Sequence, residues 1–155
     1  MKQFIEDMGI LYEEMGLPRM AGRIIGWLLM CEPPHQSAEE LARIVEASKG
    51  SISSMTRLLI QMGIVERIGL PGKRDIYYRI KPGFWSELMK THLDRLTGLR
   101  KLVEHGLDLI DGKAPSASHR LQEMRDFCVF WEKEIPAMME RYDQEHKQAI
   151  QMFSE

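Results

Sequence analysis

The chain has 155 residues, 44% of them apolar and 28% charged, with a net charge of −2, a composition that fits one or two compact globular units and excludes a histone-like polycation. Its longest apolar stretch, Ile24 to Cys31, is interrupted by Gly26 and falls well short of the about 20 residues of a membrane span. No basic segment leads into an apolar run at the N-terminus, so no secretory signal is read and the chain is placed in the cytoplasm, away from membranes.

Phe4, Met8, Leu11 and Met15 stand four, three and four residues apart, which predicts an amphipathic helix over residues 2 to 15, stopped by Gly16 and Pro18. A second helix is predicted from Arg19 to Cys31, with Met20, Ile24, Trp27, Leu28 and Cys31 on one face and Pro33 and Pro34 ending it. Gly22 and Gly26 weaken its intrinsic propensity but permit close approach of a neighbouring helix.

Ser37 and Glu40 have the spacing of a capping box, so a third helix should begin at Ala38, with Leu41, Ile44 and Val45 apolar. Ser48 can cap a fourth, in which Ile52, Met55, Leu58, Leu59 and Met62 recur at helical spacing and Gly63 supplies the stop. The period then changes to two. Residues 64 to 69 and 76 to 80 alternate on either side of Pro71-Gly72, which predicts a β-hairpin with Lys73 and Arg74 at its tip.

Pro82 suits the first turn of a long helix continuing to about Asp111. Trp85, Met89, His92, Leu96, Leu99, Val103, Gly106 and Ile110 form its stripe, widened by Leu88, Leu93, Leu102 and Leu107. At 1.5 Å per residue such a helix is about 40 Å long, more than a small domain covers by itself. Either a second copy or the first and last helices of the same chain must cover it. Residues 112 to 118 are predicted as a turn, and a last helix runs from 119 to about 152 through Leu121, Met124, Cys128, Trp131, Ile135, Met139 and Tyr142, with Pro136 kinking or dividing it.

Helix, tight turn, helix and hairpin in this order are the plan of a winged helix-turn-helix. The fold class is therefore mainly α with a small β-hairpin, a winged helix-turn-helix plus a helical dimerisation region. The division is an N-terminal helix over 1–17, the DNA-binding domain over 18–81, and long helices over 82–155 whose apolar stripe asks for a partner. Charge is partitioned the same way. Residues 48 to 81 hold Lys49, Arg57, Arg67, Lys73, Arg74, Arg79 and Lys81 against Glu66 and Asp75, a net +5, while the segments before and after carry −4 and −3.

With the apolar set of the fourth helix inward, Gly50, Ser51, Ser53, Ser54, Arg57 and Gln61 face out, and Lys49 points the same way. Short hydroxyls allow close approach to base edges, Arg57 can reach a guanine or a phosphate, and the helix N-terminus favours anions. The predicted DNA contacts are Lys49, Gly50, Ser51, Ser53, Ser54 and Arg57, with Lys73 and Arg74 on the wing lying over the backbone or minor groove. A winged domain acting as a protein-protein adaptor is the alternative, and it would need an apolar face where this one is hydroxyl and cationic.

GLPRMAGRIIGWLLMCEPPHQSAEELA, SKGSISSMTRLLIQMGIVERI and PGKRDIYYRI resemble the MarR superfamily of bacterial transcription regulators, most closely its GbsR-like branch, over roughly residues 10 to 85. The resemblance implies a homodimer joined by N- and C-terminal helices, a palindromic operator, and often a small effector. It also implies a recognition helix over about 49 to 62 and a wing over about 64 to 80. Many of these proteins brace the wing with an Asp-x-Arg motif, whereas this chain has Gly-Lys-Arg-Asp at residues 72 to 75, where Asp75 could pair with Arg74 or Arg67. The C-terminal helices show no transferable signature. GbsR-type relatives imply a quaternary ammonium effector such as choline, for which Trp27, Trp85 and Trp131 would be the cage, with Tyr12, Phe127 and Phe130 also available.

Dimer contacts are assigned to Leu11, Trp85, Met89, Leu96, Leu99, Val103, Ile110 and Trp131. Cys31 and Cys128 sit in apolar surroundings and are read as reduced, packed thiols. No enzyme signature, cofactor site or metal site is expected. Cys31 and His35 are separated by Pro33 and Pro34 with no second pair to complete a site, and Gly-Leu-Pro-Gly-Lys lacks the spacing of a phosphate loop.

Overall fold

In the computed structural model, residues 1–110 and 114–153 are described, with side chains to residue 146. Two compact units divide the chain at Phe84 and Trp85.

The first unit opens with α1 (Lys2–Glu14) and α2 (Arg19–Met30). Three glycines set how these helices cross. A Cβ on Gly22 would collide with the Met8 carbonyl oxygen and lie 2.8 Å from the Tyr12 Cβ; one on Gly26 would lie 3.0 Å from the Met8 Cβ, and one on Gly9 2.8 Å from the Arg23 Cγ. The close approach expected of Gly22 and Gly26 is thus present, and it turns α1 about its axis relative to the predicted stripe. Ile5, Gly9 and Tyr12 face inward, whereas Phe4, Leu11 and Met15 are exposed.

A two-residue strand, β1 (Gln36–Ser37), leads into α3 (Ala38–Ile44). The capping box forms as expected: the Ser37 N–H donates to Glu40 Oε2 at 2.7 Å and the Glu40 N–H donates to Ser37 Oγ at 3.2 Å. Next comes α4 (Lys49–Gln61), whose N–H at Ser51 donates to Ser48 Oγ at 3.2 Å. Leu41, Val45, Ile52 and Leu59 have no exposed surface and, with Ile24 and Ile25 of α2, form the core that holds α3 and α4 together. Thr56 is buried among these apolar groups because its hydroxyl donates to the Ile52 carbonyl at 2.8 Å.

Gly63, at φ 73°, turns the chain out of α4 into β2 (Val65–Gly69), which pairs antiparallel with β3 (Ile76–Ile80) in the register Val65 to Ile80 through Gly69 to Ile76. β1 adds to the other side of β3, giving the sheet order β1-β3-β2 with β2 at an edge. Sequence pattern predicts the hairpin but misses β1, since two residues are too short to show alternation.

The second unit is a helical hairpin. α5 (Phe84–Ile110) starts two residues later than Pro82 suggests, because Gly83 adopts φ 75° and the Phe84 N–H closes a turn onto the Lys81 carbonyl at 3.1 Å. The predicted end of this helix at Asp111 lies outside the described residues, as do residues 112 and 113 of the predicted turn. α6 (Pro115–Phe153) begins where the rest of that turn was expected. Pro136 does not divide α6, which runs through it as one helix. The two helices are antiparallel: Ser86 Oγ is 3.2 Å from Asp143 Oδ1, Arg100 Nε is 2.7 Å from Glu132 Oε2, and the Gly106 position abuts Leu121. The Thr97 hydroxyl and the Arg100 guanidinium hold the Glu132 carboxyl below the usual carboxylate range.

Candidate nucleic-acid interface

Because Ile52, Thr56 and Leu59 point α4 into the core, its opposite face is fixed. Lys49, Gly50, Ser53, Ser54, Arg57 and Gln61 are exposed along it, and Ser51 sits half-buried at its shoulder. All the predicted readers are therefore on one helix, with Ser51 the least accessible. Lys73 and Arg74 are exposed on the loop between β2 and β3, where the Lys73 N–H closes a turn onto the Leu70 carbonyl at 3.1 Å.

The two helices of the motif treat their N-terminal ends differently. α3 carries Glu39 and Glu40 in its first turn, which compensate the positive end of its dipole. α4 has no acid there and begins with Lys49 instead. A cation at that position opposes helix formation by about 0.3–1 kcal/mol, and no acid of its own first turn compensates the positive end of α4.

Ion pairing sharpens the contrast. Within residues 48–81, Arg79 is paired with Glu66 at 2.7 Å, while Lys49, Arg57, Arg67, Lys73, Arg74 and Lys81 make no ion pair among the described residues. In α1 and α2, by comparison, Lys2 pairs with Glu46, and Arg19 and Arg23 both pair with Glu6. Asp75 pairs with neither Arg74 nor Arg67, so the hairpin is braced across its strands by Arg79 and Glu66 instead.

Arg57 and Gln61 also line a shallow groove of about 420 Å³ between α4 and β2, together with Arg67 and Lys81. Sequence pattern counts Arg67 and Lys81 in the local charge and offers Arg67 as a partner for Asp75, but makes neither a DNA contact. Their positions, one on the strand after α4 and one just past β3, are the signal that would have placed them at the base of the wing.

In the second unit a cavity of about 760 Å³ lies between α5 and α6, lined by Trp85, Met89, His92, Trp131, Met139 and Tyr142 among others. It brings together two of the three tryptophans of the predicted cage; Trp27 belongs to the first unit, half-buried on α2. Of the residues assigned to dimer contacts, Leu11, Trp85 and Met89 are exposed, and Leu96, Leu99, Ile110 and Trp131 are half-buried. Val103 is buried, with 4% of its surface exposed. Leu102, Leu109, Phe127 and Phe130, left out of that assignment, are more exposed than any of its members.

Cys31 and Cys128 are free and buried, and burial pushes both thiols up from their ordinary value, away from the thiolate that oxidation requires. Among the described residues no group of three His, Cys, Asp or Glu side chains stands close enough to hold a metal ion, and no helix is long and apolar enough to cross a membrane.

A family model described as "MmpR5-like MarR family transcriptional regulator" matches residues 83–145. The HTH-type transcriptional regulator MmpR5 of Mycobacterium tuberculosis (strain ATCC 25618 / H37Rv) is 39% identical over 142 residues, covering 92% of this chain and 86% of that protein. A crystal structure described as that of a transcriptional regulator superposes with a TM-score of 0.77 at 38% identity, over 92% of this chain and 97% of that one. These matches name the MmpR5-like group and not the GbsR-like branch, on which the quaternary ammonium expectation rested. The family-specific match falls on α5 and α6, the stretch in which no transferable signature was read.

Proposed function

Because the chain belongs to the MarR family of transcriptional regulators, we propose that it is a sequence-specific double-stranded DNA-binding repressor, acting in the cytoplasm as a homodimer on a pseudo-palindromic operator and released by a small effector. The observation that carries this reading is the set of six cations on α4 and the wing that make no ion pair among the described residues, beside a helix face of short hydroxyls.

The N-terminal half of α4 enters the major groove, about 12 Å wide, where Ser53 and Ser54 allow the backbone close to base edges and Arg57 reaches a guanine O6/N7 pair or a phosphate. Lys73 and Arg74 at the wing tip neutralise backbone charge or enter the adjoining minor groove. Two such heads related by a two-fold axis read half-sites about one helical turn, ~34 Å, apart. Leu11, Trp85 and Met89, exposed apolar side chains, are suited to the contact between copies, and occupancy of a promoter by the dimer suffices for repression.

The effector enters the cavity between α5 and α6. Its lining is apolar and aromatic apart from Ser86, His92 and Tyr142, and Ser86 is already bonded to Asp143. An uncharged, largely apolar molecule suits it better than choline.

Selection of bound duplexes from a random pool tests the central claim. Enrichment of an inverted repeat with half-sites about one turn apart is expected; failure to enrich any sequence at low salt overturns the reading. Sedimentation of a monomer at micromolar concentration would remove the dimer.

A further inference from the structure

We propose that the groove between the C-terminal half of α4 and the edge strand β2 is a clamp for one backbone phosphate of the bound duplex, closed by Arg57, Arg67 and Lys81. This rests on the DNA-binding reading and adds to it two residues, Arg67 and Lys81, and a site separate from the wing tip.

Three observations converge on the groove. Its three cations have no ion-pair partner among the described residues, and the acid in its lining, Glu66, is held at 2.7 Å by Arg79. The groove is therefore positive, with no carboxylate among the described residues of its lining free to balance it. Its floor is apolar, made by Ile60 and the buried Val65, and Gly63 contributes no side chain to its wall. A concave cationic surface over a low-dielectric floor focuses its field on an incoming anion. Guanidinium forks grip two phosphate oxygens at once, and the lysine adds a point charge.

Position on the helix selects the ligand. Ser53 and Gln61 are eight residues apart, roughly 12 Å along the helix axis at 1.5 Å per residue. That carries the C-terminal end of α4 away from the base edges read by its N-terminal half and toward the rim of the groove. With Ser53 and Ser54 at the base edges, the far end of α4 and the base of the wing stand at the groove's bounding strand, where the nearest anion is a phosphate. Arg57 lies between the two regions and links the reading face to the clamp. A free phosphorylated compound offers the same chemistry and is the competing occupant.

The test measures duplex affinity against salt for the full chain and for Arg67→Gln, Lys81→Gln and the double variant, using the selected operator and a scrambled duplex, with thermal melting as a check on folding. Each single variant should flatten the slope of log affinity against log salt by about 0.9, and the double variant by about twice that. The loss should be equal on both duplexes, because a phosphate carries no sequence. A double variant that keeps the wild-type slope overturns the clamp. If it keeps that slope while inorganic phosphate shifts the Arg67 and Lys81 side-chain resonances of the unmodified protein, the groove belongs to a free anion and the clamp is again overturned. Failure of the unmodified protein to bind any duplex removes the DNA reading itself, and is told apart from loss of the clamp alone because there the unmodified protein still binds.

Discussion

Arg79 Nε donates to Glu66 Oε1 at 2.7 Å from the position directly opposite it across the hairpin. Both side chains are partly exposed, so the pair adds only about 0.2–1 kcal/mol to the hairpin. Its larger effect is on charge, because it removes the one carboxylate in the lining of the groove.

Opposite signs follow for the two partners. Arg79→Ala releases the Glu66 carboxylate toward the groove and weakens duplex binding, although Arg79 is not among the predicted contacts. Glu66→Gln releases a cation, tightens binding and steepens its salt dependence. Anisotropy titrations at two salt concentrations separate these outcomes, and equal losses from both variants would contradict the account.

On α4, Ser54→Ala should relax the preference at one base position, whereas Arg57→Ala, which removes a clamp residue, should weaken binding to all sequences alike. Lys73→Ala and Arg74→Ala should weaken binding to all sequences alike and each reduce the salt slope by about one. Competition assays with single-base operator variants distinguish the two patterns.

Glycine-to-alanine changes in the helices should differ in sign with position. Alanine ordinarily favours a helix interior by about 1 kcal/mol over glycine. Gly98→Ala meets no atom within 4 Å and should stabilise the chain; Gly22→Ala meets the Met8 carbonyl and should destabilise it, by about 1–3 kcal/mol, as α1 is forced off α2. Urea unfolding reads both. A loss at Gly98 would mean that a second copy packs there.

The capping box predicts a pH dependence. The Glu40 carboxyl is held below its ordinary value of 4.5, first by the Ser37 backbone N–H. A carboxyl lowered on folding contributes stability that is full above its unfolded value and is lost as pH falls through the folded one. Glu40→Gln should therefore be less stable than the unmodified protein near neutrality and indistinguishable from it in strong acid. A difference that persists in acid would place the effect elsewhere. Ser37→Ala, which removes the other half of the box, should cost about 0.5–2 kcal/mol.

Local rules made the centre of the chain legible. Ser37, Glu40, Ser48 and Gly63 mark helix ends through backbone hydrogen bonding that depends only on near neighbours, and the structure sets those ends at Ala38, Lys49 and Gln61. What sequence pattern missed depends on distant partners. Phe4, Leu11 and Met15 have the spacing of a buried stripe, but the missing side chains at Gly9, Gly22 and Gly26 draw the adjacent face inward. Arg67 and Lys81 meet only because the hairpin folds back beside α4. At Pro82, the positive φ of Gly83 outweighs proline's preference for a helix start.

Pro136 lacks an N–H, so the Glu132 carbonyl loses its helical donor. Trp131, Ile135, Met138 and Met139, which flank this gap, form the α6 side of the 760 Å³ cavity, while the α5 side carries no proline. One wall thus has one backbone hydrogen bond fewer than the other. Glu132, held by Arg100, anchors the α6 wall one turn before the gap. Any widening of the chamber is therefore expected at α6 beyond that anchor, where a single backbone hydrogen bond is missing.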